Sequence, residues 1–114
     1  MRKRILLASA FVLAAASALA ATGDEIRAAI SDSTVQGNMD DSGPYAEYYA
    51  PDGTIKGKDY SGQWSVEGDT MCFLYQDTPE ECWNVEIKGD QVRWSKNGAS
   101  QGTGTIVKGN VNGF

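Results

Sequence analysis

A chain of 114 residues with a net charge of −5 and no histidine has room for one domain and lacks the residues of much enzyme chemistry. Without histidine, Ser-His-Asp and Cys-His nucleophiles and His-based zinc sites are excluded, and two cysteines are too few for an all-thiolate site. The acidic balance repels phosphates and anionic lipids, which argues against nucleic acid and membrane surfaces as partners.

The first element is a targeting signal over residues 1–20. Arg2, Lys3 and Arg4 form a basic head, an uncharged Ala- and Leu-rich run follows, and Ala18-Leu19-Ala20 supplies the small residues a signal peptidase reads. Cleavage near Ala20 predicts a periplasmic or secreted protein with no membrane attachment afterwards. The head holds three of the ten basic residues and none of the fifteen acidic ones. The remaining 21–114, read as a single β-rich domain, therefore carries seven basic against fifteen acidic residues, a net −8. Such a charge keeps a small protein soluble, and a monomer is expected.

Thr22-Gly23-Asp24-Glu25 is a capping box, and Ile26, Ala29 and Ile30 follow at i, i+3 and i+4. The spacing predicts a helix over about 23–31 that docks its Ile26/Ile30 edge. From residue 33 the pattern changes to period two. Strands are predicted at Thr34–Asn38, Tyr45–Ala50, Thr54–Lys58, Gln63–Glu67, Thr70–Tyr75, Cys82–Lys88, Gln91–Lys96 and Ala99–Val107. Their separators are Asp41-Ser42-Gly43-Pro44, Asp52-Gly53, Gly68-Asp69, Gly89-Asp90 and Asn97-Gly98. Asp-Gly and Asn-Gly suit type I′ hairpins, and Gly-Asp suits type II′.

Two-residue turns also set register. A turn at Gly68-Asp69 opposes Val66 to Met71 and Trp64 to Phe73; one at Gly89-Asp90 opposes Ile87 to Val92 and Val85 to Trp94. If Cys72 faces Cys82, Met71 faces Trp83. The hairpins agree on one buried face holding Trp64, Phe73, Trp83 and Trp94, and a one-residue slip would expose all of them. The architecture predicted is a mainly β, antiparallel meander of seven or eight short strands, closed into a small barrel or half-barrel, with the short helix at one end.

Cys72 and Cys82 read as one structural disulfide, on the face opposite the aromatics. Its ring of about ten residues is worth roughly 3 kcal/mol by chain entropy. The four aromatics read first as core and second as walls of a cavity for an apolar ligand, a lipocalin-like use of the barrel. Tyr45 and Tyr49 are placed outward, flanking Glu47, as a candidate binding surface for protein or sugar, with Tyr48 inward beside Ala46 and Ala50. The acidic loop Asp77–Glu81 lacks the alternating spacing of a calcium loop, so no metal is assigned.

Four stretches carry a resemblance: Tyr49-Ala50-Pro51-Asp52-Gly53-Thr54-Ile55-Lys56-Gly57, Gly62-Gln63-Trp64-Ser65-Val66, Gly68-Asp69-Thr70-Met71-Cys72-Phe73 and Cys82-Trp83. Together, over residues 34–108, they resemble a loosely defined set of small exported bacterial β-domains of unknown function. The resemblance implies a periplasmic or secreted domain with one disulfide, and no activity. Gly62-x-Trp64 and Cys72 are also similar to features of lipocalin-like periplasmic inhibitors of secreted metalloproteases. The N-terminal segment departs from that pattern, because it reads as a capped helix and those inhibitors use an extended arm. The function expected is a non-catalytic binding or envelope-associated module for a protein, glycan or small apolar ligand, with no cofactor. The alternatives are a carrier of an apolar ligand inside the barrel and a protease inhibitor.

Overall fold

In the computed structural model, which describes residues 19–114, Thr22 caps α1 (Gly23–Ile30) as its sequence requires. The Thr22 hydroxyl accepts from the Glu25 amide at 3.2 Å, and the Glu25 carboxylate accepts from the Thr22 amide at 2.9 Å. Ile26 and Ile30 are fully buried, so the docked edge supplies the stability that an eight-residue helix lacks alone. The signal segment proposed for residues 1–20 lies almost wholly outside the described residues. Ala20 and Ala21 are described: Ala20 bridges Glu86, and the Ala21 amide donates to the Val85 carbonyl. No helix among the described residues is long and apolar enough to cross a membrane.

Eight antiparallel strands follow: β1 (Ser33–Met39), β2 (Gly43–Tyr49), β3 (Thr54–Lys56), β4 (Ser61–Glu67), β5 (Thr70–Tyr75), β6 (Glu81–Lys88), β7 (Gln91–Lys96) and β8 (Ala99–Lys108). Each pairs with the next, and β8 pairs with β1 from Ser33↔Lys108 to Met39↔Gly102, which closes a barrel. A closed meander leaves no edge strand running the length of the sheet. The expected registers hold. Trp64 opposes Phe73, Val66 opposes Met71, Met71 opposes Trp83, Val85 opposes Trp94 and Ile87 opposes Val92.

The turns explain this. Gly68 and Gly89 have φ of 60° and 62°, each followed by an Asp without positive φ, as two-residue Gly-Asp turns need. Asn97 and Gly98 are both positive, as an Asn-Gly type I′ turn needs. Asp52-Gly53 differs from the expectation. Only Gly53 is left-handed, and its amide donates to the Ala50 carbonyl, so Pro51-Asp52 form a turn that Gly53 terminates. Gly43 and Pro44, expected in a turn, belong to β2. Pro44 opposes Asn38 of β1 and has no partner on its other side, because β2 meets β3 only at Tyr48 and Tyr49. A proline is tolerated in such an edge position. β3 stops at Lys56 because the chain turns over Gly57–Tyr60, with the Gly57 amide donating to the Tyr60 carbonyl.

The helix packs against β1, β4 and β5 at one end of the barrel. The Gly23 amide donates to Asp69 in the β4–β5 turn, at that same end. The other end carries the β1–β2, β3–β4, β5–β6 and β7–β8 connections and, among the described residues, no helix.

Candidate functional site

The barrel is not filled to its open end. A cavity of about 390 Å³ lies there, reached between Ser42 of the β1–β2 turn and Thr78-Pro79 of the β5–β6 loop. That volume falls within the usual span of small-molecule sites, about 300–1,000 Å³. Its walls are aromatic. Phe73 of β5, Trp83 of β6 and Trp94 of β7 line it, all on the inward phase expected for them. Trp64 shares that phase but does not line the cavity; it is half-buried, edge-on to Tyr49 at 6.1 Å, with its indole N–H donating to the Ala50 carbonyl.

Strand β2 reverses the expectation for Tyr45, Glu47 and Tyr49. Expected on an outer surface, they point into the barrel: Glu47 is 6 % exposed, Tyr49 is 1 % exposed, and all three line the cavity. The register places them opposite Gly37, Val35 and Ser33 on the inner side of β1. Tyr48 correspondingly points outward. It is still covered, because its hydroxyl donates to Asp32 at 2.6 Å beside the end of the helix.

Glu47 organises the cavity. The Tyr49 hydroxyl donates to its Oε1 at 2.7 Å and the Tyr60 hydroxyl to its Oε2 at 2.6 Å. The Tyr75 hydroxyl lies 2.9 Å from both oxygens. Three phenols thus converge on one carboxylate, and among the described residues no Lys or Arg comes within 4.0 Å of it. Tyr45 belongs to a second pair. It accepts from the Trp94 indole N–H at 2.8 Å and donates to the Thr103 carbonyl at 3.1 Å. Gly104 makes room for it, since a Cβ there would strike the Tyr45 hydroxyl.

These surroundings shift the phenols in one direction. Burial, then the Glu47 charge, pushes Tyr75 and Tyr49 well above the usual tyrosine value. Burial, then the hydrogen bond to Glu47, raises Tyr60. Burial, opposed in part by the Trp94 N–H, pushes Tyr45 up to about 12. The four therefore stay protonated, as donors, across the physiological range.

Tyr60 and Tyr75 are the members that strand patterning missed. Tyr75 was within reach: Met71, Phe73 and Tyr75 continue one period-two face of β5. Tyr60 carries no such signal. It sits in the β3–β4 connection, packs its ring over Gly57, and leans its hydroxyl across the open end to Glu47. At the rim Glu81 pairs with Lys96 at 3.2 Å, and the Lys96 ammonium lies 5.3 Å from the Trp83 ring centre.

The disulfide is elsewhere. Cys72 and Cys82 are bonded on the outer face, with Cα atoms 3.9 Å apart, directly opposed between β5 and β6 as expected. Glu67 and Glu80 approach them, the one grouping of metal-type donors among the described residues. Both sulfurs belong to the disulfide, so what remains is two exposed carboxylates. No family model, curated protein or solved structure matches the chain.

Proposed function

We propose that this protein is an exported, non-catalytic binding module that takes a small, largely apolar ligand into the open end of its barrel. One observation carries the reading: a cavity of about 390 Å³ with predominantly aromatic walls, left unfilled in a domain this small. Close packing is the rule in interiors of this size, and voids larger than a water molecule are few. The aromatic rings supply apolar contact, and Glu47 with its phenols supplies the few fixed polar groups that orient a guest. The inward turn of Tyr45, Glu47 and Tyr49 removes the reason for expecting a sugar- or protein-binding patch on β2. A periplasmic or extracellular setting fits the signal-like head and the disulfide.

Intrinsic tryptophan fluorescence tests the proposal, because Trp83 and Trp94 form cavity walls. Titrating the purified protein with small aromatic probes of positive, neutral and negative charge should give a saturable, one-to-one change for at least one of them. Emission that never saturates with any probe sinks the reading.

A further inference from the structure

We infer that the cavity selects an organic cation, an ammonium group carried on an apolar body, with Glu47 as its counter-charge. This rests on the cavity being a ligand site and goes further by assigning the charge of the ligand.

Glu47 sets the electrostatics of the cavity. Glu47 is 6 % exposed, and its carboxylate has no cationic partner among the described residues. A buried charge without a partner is costly to desolvate, and hydrogen bonds offset that cost only in part. The three phenols lower that cost without cancelling the charge. An incoming ammonium would cancel it.

The walls favour the same sign. Ring faces carry negative quadrupole potential, and a cation within about 6 Å of a ring centre is attracted to them. Phe73, Tyr75, Trp83 and Trp94 surround the space from three strands. The molecule already uses this contact at its rim, where Lys96 rests over Trp83.

The hydrogen-bonding groups favour a donor as guest. The hydroxyl protons of Tyr49, Tyr60 and Tyr75 are committed to Glu47, that of Tyr45 to Thr103, and the Trp94 N–H to Tyr45. Deep in the cavity the polar groups are therefore lone pairs and a carboxylate, which suit an N–H or a polarised N–CH₃. Among the described lining residues, the side-chain donors left for an anion are Ser42 and the Trp83 indole near the rim, since the Thr78 hydroxyl donates to the Tyr75 carbonyl; Lys96, beside the rim, is paired with Glu81. The net charge of −8 over residues 21–114 draws cations toward the exported domain and repels anions.

The test compares, by calorimetry and tryptophan fluorescence, a matched pair, benzyltrimethylammonium and its neutral carbon isostere neopentylbenzene, with the smaller anion benzoate as a third probe. The cation should bind at least about tenfold more tightly than the neutral isostere, with added salt weakening only the cation. Benzoate should bind weakest. In Glu47→Gln, with an unchanged far-ultraviolet spectrum, the cation's advantage should fall to about twofold or less while the neutral probe is little affected. The comparison of probes needs only the unaltered protein, so it decides even if the variant fails to fold. Equal binding of cation and isostere, or tighter binding of benzoate, overturns the cation assignment and leaves the cavity reading standing. No saturable binding by any probe overturns both.

Discussion

Glu47 and the phenols around it make the interior of this barrel sensitive to alkali. Four of the five tyrosines are raised by burial together with the Glu47 charge or a hydrogen bond, and Tyr48 is raised chiefly by its bond to Asp32. Each folded value lies above the unfolded one of about 10. Their contribution to stability is thus complete below about pH 10 and is lost as pH rises further, because the unfolded chain then releases protons that the folded chain keeps. Absorbance at 295 nm should show no phenolate step near pH 10 in the folded protein, and phenolate should appear together with loss of the near-ultraviolet circular dichroism. A distinct step near pH 10 with the fold intact would contradict this environment. The individual phenols should also rank by burial. Tyr49→Phe removes a donor from a carboxylate with no cationic partner among the described residues, and should cost about 1.5–3 kcal/mol in denaturant unfolding. Tyr60→Phe should cost about 1 kcal/mol or less, because Tyr60 is 47 % exposed and water can replace its hydroxyl.

At the scale of elements, α1 and the Gly-centred turns follow local chemistry closely. The cap of α1 is a reciprocal pair of hydrogen bonds, and the Asp69 side chain joins it by accepting from the Gly23 amide. Thr22→Ala should therefore destabilise the protein by about 1 kcal/mol, read from the shift in denaturation midpoint at unchanged slope. An unchanged midpoint would mean that docking alone holds the helix. Strand β2 is the element whose facing was not legible. Its run Tyr45-Ala46-Glu47-Tyr48-Tyr49 has an aromatic on either phase, and a carboxylate on one of them. Local rules put the carboxylate in water. The turn before it gives no correction, since Met39 opposes Gly43 across the three residues Asp40, Asp41 and Ser42, and no two-residue signal sets the phase. Tyr49, Tyr60 and Tyr75 reverse the preference by giving Glu47 three donors, two of them from positions 13 and 28 residues away.

Over the whole molecule, closure depends on ladders of unequal length. β1 pairs with β8 and with β2 over seven residues each, whereas β5 and β6 share only Met71↔Trp83, Cys72↔Cys82 and Phe73↔Glu81. Beyond Trp83, β6 parts from β5, and the Ala20-Ala21 segment bonds to it at Val85 and Glu86. The disulfide occupies the central pair of this short seam. Reduction should lower stability by roughly 3 kcal/mol and move the denaturation midpoint accordingly, with the same effect in a Cys72→Ala/Cys82→Ala double variant. An unchanged midpoint would mean that the strand pairing and the Ala21 bond to Val85 hold the seam unaided. What the sequence determined by itself was the helix, most turn positions and the common phase of Trp64, Phe73, Trp83 and Trp94. A capping box and two-residue turns act over a few bonds, and each sets the phase of the strands beside it. Tertiary structure alone decided that Tyr45, Glu47 and Tyr49 face inward and that a cavity remains beside them. A buried carboxylate becomes tolerable only when distant phenols converge on it, and an unfilled volume belongs to the closed barrel and to no single strand.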